Sequence, residues 1–216
     1  MSQIALMSAC RNDSGPYAET FVNYDIVQLA EQSEETGAKF LLYRPEGNEP
    51  VVYTEKRAVI DTNRVKIGNR LLLGYISENE PYVSGEISAT GYSPIFNSKL
   101  KYLATDSIQK LKNNQTGVFL YSIWRAGPFL NLHGKTTYTD EKALMVMCAD
   151  SLDLASPNPV LSVDIIYYMD DPKENFQRDF YASFDLSEFW ENPESQGLTV
   201  TLDNTNLKIN TFSFSK

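Results

Sequence analysis

The side chains on which His-centred and Cys-clustered chemistry depends are nearly absent from this chain: it has a single imidazole, His133, and two thiols, Cys10 and Cys148. A Ser-His-Asp arrangement needs an imidazole held between a nucleophile and a carboxylate. It would have to use His133, which follows Leu130-Asn131-Leu132 and precedes Gly134, and no Gly-x-Ser-x-Gly turn occurs in the sequence. His133 therefore reads as a surface residue at the end of a strand. Paired carboxylates can hydrolyse glycosides when held about 5–10 Å apart, and Asp170-Asp171 or Glu188 with Glu191 are the available pairs. Asp170-Asp171-Pro172-Lys173-Glu174-Asn175, however, has the composition of a solvated turn and lacks the spacing of an EF-hand calcium loop. Gly85 and Gly91 open no helix, so no phosphate loop is present. The expectation is a protein with no catalytic residue, no metal site and no cofactor.

Charge and composition narrow the partners. There are 19 Lys and Arg against 28 Asp and Glu, a net charge of -9, and no basic stripe follows an aromatic platform, which argues against nucleic acid. Apolar residues make up 42% of the chain, enough for a core, and no apolar run approaches the roughly 18 residues of a membrane span. The reading is a soluble, folded body.

The two thiols differ in setting. Cys148 lies in Ala143-Leu144-Met145-Val146-Met147-Cys148-Ala149, apolar on both faces, where cysteine behaves as a small hydrophobe. Cys10 closes Leu6-Met7-Ser8-Ala9-Cys10, with the small residues that a signal peptidase must seat beside a thiol destined for diacylglycerol, the pattern of a bacterial lipobox. Only Ile4, Ala5, Leu6 and Met7 precede it as an apolar stretch. Arg11-Asn12-Asp13-Ser14-Gly15-Pro16 then has the composition of a flexible tether. Residues 1–18 are thus read as a truncated signal, lipobox and tether, with a membrane as the partner through a lipid on Cys10.

Two β-rich regions follow. Over residues 19–103 short strands alternate with turn signals, and Gly74 is placed to mark a bulge; five or so strands in about 85 residues suit a small OB-like barrel. Residues 104–116 lose apolar content and read as a linker, with one helical turn around Ile108 and Leu111 capped by Thr105 or Asp106. Over residues 117–216 strands resume with clearer alternation, as in Leu161, Val163, Ile165 and Tyr167, and seven or so in about 100 residues favour an Ig-like β-sandwich. The fold class is all-β, a barrel followed by a sandwich.

The aromatic residues, 13 Tyr, 11 Phe and 2 Trp, are the best candidates for ligand contact, because Tyr and Trp combine rigid apolar area with a polar edge. Tyr75, Tyr82, Tyr92 and Tyr102 fall on the predicted barrel and are the candidate ligand-binding residues; the competing reading is that they fill a β core. Trp124 reads as a sandwich core residue or a plug between domains.

Tyr43-Arg44-Pro45, Gly68-Asn69-Arg70-Leu71-Leu72-Leu73, Asp106-Ser107-Ile108, Trp124-Arg125-Ala126-Gly127-Pro128-Phe129-Leu130-Asn131 and Phe180-Tyr181-Ala182-Ser183-Phe184-Asp185-Leu186 occur in an order and spacing that cover the chain from Cys10 onward. With the lipobox they resemble the NigD-like family of Bacteroidetes lipoproteins, whose Trp-x-x-Gly-x-aromatic-Leu-Asn signature here carries Pro128. The resemblance implies an N-terminal OB-type barrel, a C-terminal sandwich, and lipid anchoring in the cell envelope, at the outer membrane. It also implies O-glycosylation at Ser107 and Ser151, through the Asp-Ser-aliphatic pattern of Asp106-Ser107-Ile108 and Asp150-Ser151-Leu152. The function expected is a non-enzymatic binding or accessory module for a glycan or an envelope protein. The alternatives are a bacteriocin-associated immunity or accessory lipoprotein and, behind it, a carbohydrate-active enzyme using paired carboxylates.

Overall fold

Alternate positions along the first strands carry the large apolar side chains, so each strand has one face to bury. In the computed structural model, which describes residues 21–47, 49–137, 143–151, 160–169 and 177–216, five strands meet this need by closing on themselves. They are β1 (Asn23–Ser33), β2 (Gly37–Leu42), β3 (Val51–Glu55), β4 (Arg70–Ser77) and β5 (Gly85–Pro94). The order is β1-β2-β3-β5-β4, with β4 returning to β1 and β3 joined to β5 in parallel, the arrangement of an OB-type barrel. Leu29, Phe40, Tyr53, Leu71 and Leu73 fill its interior. The β4–β5 register shifts between Gly74 and Tyr75, where the glycine suggested a bulge.

The remaining strands form two stacked sheets. One runs β14-β13-β11-β10-β7, built from β7 (Lys101–Leu103), β10 (Ala143–Asp150), β11 (Val160–Met169), β13 (Gly197–Leu202) and β14 (Thr211–Ser215). The other runs β6-β12-β9-β8, built from β6 (Phe96–Lys99), β8 (Phe119–Ala126), β9 (Phe129–Thr137) and β12 (Gln177–Asp185). Leu130, Leu132, Met147, Ile165, Phe184 and Val200 pack between them.

Barrel plus sandwich is the fold class read from the sequence, but the division between the two differs. Phe96–Lys99 and Lys101–Leu103, read as the end of the barrel, pair in parallel with β12 and β10, and Phe96 packs on Phe184 with ring centroids 6.0 Å apart. The barrel therefore ends at Pro94. Both strands are short, and their partners lie far along the chain, so local composition carries no sign of where they belong. With β11 beside β13 they also give the sandwich three parallel ladders, whereas Ig-type sheets are antiparallel.

The segment read as a linker carries α1 (Thr105–Lys112), which packs Ile108 on Val146, Cys148 and Ile166, on the outer face of the larger sheet. Ala104 is its N-cap and has no side-chain cap bond; the Thr105 hydroxyl instead donates to Asp150. Burial pushes the Cys148 thiol up to about 11.

The barrel docks on the outer face of the smaller sheet. Alternation sends Leu130, Leu132, Ala182 and Phe184 into the sandwich core, and Phe129, Asn131, Tyr181 and Ser183 to the opposite face. The turn between β8 and β9 reaches the barrel: Gly127 donates its N–H to the Arg44 carbonyl at 3.2 Å, and Phe129 meets Tyr43 edge-on at 5.1 Å between centroids. Gly127 has φ +57°, and a Cβ there would lie 2.5 Å from Cδ1 of the Tyr43 ring, so glycine is needed both for conformation and for space.

Gly127→Ala is expected to lower stability by about 1–3 kcal/mol, read by urea denaturation, since a non-glycine residue in the left-handed region carries that cost before Tyr43 is displaced; an unchanged midpoint would show that the turn is not fixed by the barrel. In a Cys10→Ser protein at pH 8, Cys148 should stay unlabelled by an aromatic disulfide reagent until denaturant is added. The thiolate is the reactive form, and at this pH the folded site holds the protonated thiol.

Candidate functional site

Because Leu71, Leu73 and Tyr75 point into the barrel, Arg70 and Leu72 project from its outer surface toward the sandwich. Arg70 is only 2% exposed. Its backbone is gripped by Asn97, whose Oδ1 accepts the Arg70 N–H at 2.8 Å and whose Nδ2 donates to the Arg70 carbonyl at 2.9 Å. The guanidinium carbon lies 4.3 Å from the Phe129 ring centroid and 5.5 Å from that of Tyr43, and Nη2 donates to the Ile26 carbonyl at 2.8 Å. One aromatic ring from each domain thus holds a cation between barrel and sandwich.

What the guanidinium lacks, among the described residues, is an anion. Among the described residues its Nε and Nη1 have no hydrogen-bond partner. Burial pushes its pKa down to about 10, against a smaller opposing effect of Tyr43. The folded chain therefore holds this proton less tightly than the unfolded chain does, and that disadvantage is fully present at every pH below about 10.

Two further buried polar groups lie on the surface of the sandwich that Arg70 approaches. Asn131 on β9 and Ser183 on β12 are direct cross-strand partners, both buried. Among the described residues, the Asn131 amide oxygen and nitrogen and the Ser183 hydroxyl also have no partner. Leaving a buried polar group unsatisfied costs about 1–3 kcal/mol. Three such side chains at one junction are unusual for a purely structural contact.

They line connected features of the junction. A cleft of about 580 Å³ contains Arg70 and Asn131, with Tyr24, Ile26 and Tyr43 on the barrel side and Trp124 and Tyr181 on the sandwich side. Tyr82, in the loop between β4 and β5 at φ 64°, stands at its rim and is 52% exposed. A smaller space of about 150 Å³ contains Arg70, Asn97 and Ser183. Charges in the larger cleft are balanced: Arg44 and Glu46 are at its exposed edge, and Asp25 accepts the Tyr75 hydroxyl at 2.7 Å.

Beyond the cleft the same sheet face continues as a row of rings. His133 stacks on Tyr181 at 4.1 Å with planes 4° apart, Tyr121 is 4.8 Å from His133, and Phe119 is 5.3 Å from Tyr121. Burial holds the His133 imidazole below its usual value, so the ring stacked on Tyr181 is neutral near pH 7.

The four tyrosines singled out in the sequence do not form a common site. Tyr75 is inside the barrel, its hydroxyl between Asp25 and Tyr53, out of reach of a ligand. Tyr92 packs against the barrel core and its hydroxyl accepts the Asp61 N–H at 3.0 Å. Tyr102 is half-buried on β7 against the sandwich core. Only Tyr82 lines the cleft, joined there by Trp124, which sits at the domain junction and not in the core. Ser107 is exposed on α1 and Ser151 is exposed at the end of β10. Glu188 and Glu191 lie on and just after α2 (Ser187–Trp190), away from the cleft lining. Cys10 and Asp170-Asp171 fall outside the described residues. Among the described residues no group of three or more His, Cys, Asp or Glu could hold a metal, and no helix is long and apolar enough to cross a membrane.

Arg70, Asn131 and Ser183 were not singled out by residue chemistry, because each is a common type without a spacing motif. They lie within the Gly68–Leu73, Trp124–Asn131 and Phe180–Leu186 segments that carried the resemblance, and these segments converge on this junction with Tyr43-Arg44-Pro45.

No protein-family model matches the chain, and no curated protein sequence does. Solved structures do share its fold. A protein of unknown function, DUF1344, from Bacteroides vulgatus is similar over 91% of each chain, with a TM-score of 0.71 and 15% identity. A NigD-like immunity protein from Bacteroides caccae is similar over 93% of this chain and 95% of its own, with a TM-score of 0.62 and 12% identity. A candidate lipoprotein from Bacteroides fragilis is similar over 91% and 96%, with a TM-score of 0.57 and 9% identity. The barrel-plus-sandwich architecture implied by the sequence motifs is thus one that a NigD-like protein also has.

If Arg70 is held for a ligand, removing it should not weaken the fold. Arg70→Met is expected to leave the thermal midpoint unchanged or raise it, because a thioether relieves a desolvated cation while still filling the space between Tyr43 and Phe129. A loss of several degrees would mark the guanidinium as structural adhesive.

Proposed function

We propose that this chain is a non-enzymatic binding module of the cell envelope, held at the membrane by a lipid on Cys10, with the cleft between its domains as the ligand site. The observation that carries the ligand site is the set of unsatisfied buried polar groups, Arg70 and Asn131, in a cleft walled by aromatic rings. A cleft of this size, mostly apolar with a few convergent polar groups, is the usual form of a small-ligand site. Its aromatic walls favour a glycan, and a segment of another envelope protein is the competing occupant. Anchoring rests on Leu6-Met7-Ser8-Ala9-Cys10 and the polar tether behind it, and the fold shared with a candidate lipoprotein supports it. An immunity or accessory role beside a bacteriocin is the second reading, favoured by the description of one structural neighbour as a NigD-like immunity protein.

Expressed from its native locus, the protein should fractionate with membranes, and Cys10→Ala or globomycin treatment should release it. A variant that stays membrane-bound after either treatment would rule out the lipid anchor. Deletion with no change in bacteriocin sensitivity would count against the immunity role.

A further inference from the structure

From the cleft geometry we infer that the ligand carries a carboxylate on a pyranose-sized body, a uronate-type acidic sugar, with its carboxylate on Arg70 and its ring against the aromatic wall. This deepens the binding reading above and rests on it. Nε and Nη1 of Arg70 carry three N–H donors with no acceptor among the described residues; both atoms are closed to solvent, so the side chains over Arg70 must part to admit a ligand. A guanidinium so placed pairs best with a planar carboxylate, through short charge-assisted bonds that strengthen as the local dielectric falls.

The cleft itself takes one carboxylate. Arg44 and Arg70 are offset by Asp25 and Glu46 in the same cleft, so one uronate is neutralised there by Arg70, and the other carboxylates of a longer uronate chain lie outside the cleft along the ring row. Asn131 supplies both a donor and an acceptor, which is what a sugar hydroxyl needs, and both are unpartnered among the described residues. Trp124 and Tyr181 form the apolar wall of the sandwich side, and the stacked His133 and Tyr121 continue it outward. That row is long enough to pass more than one ring, which favours an oligosaccharide over an isolated sugar.

The direct comparison is calorimetric titration of the whole protein with α-1,4-linked trigalacturonate, its methyl ester, maltotriose, and an acetylated tripeptide with a free C-terminal carboxylate. Trigalacturonate should bind, and its methyl ester, which removes the charges and adds only methyl groups, should bind about 10- to 100-fold more weakly. Arg70→Met should abolish that preference, and Tyr181→Ala should weaken the acid and the ester alike. Because the ester comparison uses the unaltered protein, the result stands even if Arg70→Met misfolds. Equal affinity for acid and ester, or failure of trigalacturonate to bind, overturns the proposal. Binding of maltotriose that is sensitive to Tyr181→Ala would also overturn it while preserving the cleft as a glycan site. Binding of the tripeptide in place of the saccharides would overturn it in favour of a protein ligand.

Discussion

A single guanidinium with no counter-ion among the described residues, shut between two domains, sets the terms for the rest of this structure. Arg70 can be buried there only because both domains contribute to holding it: Phe129 from the sandwich and Tyr43 from the barrel present ring faces, and Asn97 fixes its backbone from the connection between them. A desolvated cation between two rings gains about 2 kcal/mol from each. Against this stands the loss of hydration, which for a buried ion remains several kcal/mol after relaxation. The balance is poor for a residue whose only task is adhesion, and it is made poorer by Asn131 and Ser183, whose polar groups also have no partner among the described residues. Groups arranged at a cost to the fold are the ones expected where a fold serves a ligand.

The same junction explains why the chain has the local features it has. The β8–β9 turn must come close to the Tyr43-Arg44-Pro45 segment for Phe129 to reach Arg70, and Gly127 allows that approach. The parallel pairing of β6 with β12 brings Asn97, two residues past Ile95, directly from the barrel into the smaller sheet, so the connection is itself part of the interface. With Arg70, Asn97, Gly127 and Phe129 coupled in this way, the barrel and sandwich are mechanically one unit around the cleft, which is how a site between domains can be kept in register.

Much of the fold was legible in the sequence and much of the site was not. The strict alternation of Leu161, Val163, Ile165 and Tyr167 marks a half-buried strand without ambiguity, and Gly74 signals its bulge locally. Phe96–Leu103 reads as barrel in sequence but folds with the sandwich, because strand pairing is a long-range property, decided by partners more than 40 positions away. The site failed for a related reason. Tyr75 has the side chain of a ligand contact but sits at an inward position of β4, in alternation with Arg70 and Leu72, which face outward; which face is which depends on barrel closure, not on residue type. Arg70 in turn looks like an ordinary surface arginine until a second domain is placed over it.

The Nε–Hε resonance of Arg70 in the unaltered protein, followed by NMR as trigalacturonate is added, reports most directly on whether this guanidinium takes a ligand. A ligand-seeking guanidinium predicts a saturable shift of that resonance and slower exchange of its proton with water, with the methyl ester leaving both nearly unchanged. A resonance that stays fixed at saturating trigalacturonate, or that moves equally with the ester, would contradict the account and return Arg70 to the role of a buried structural cation.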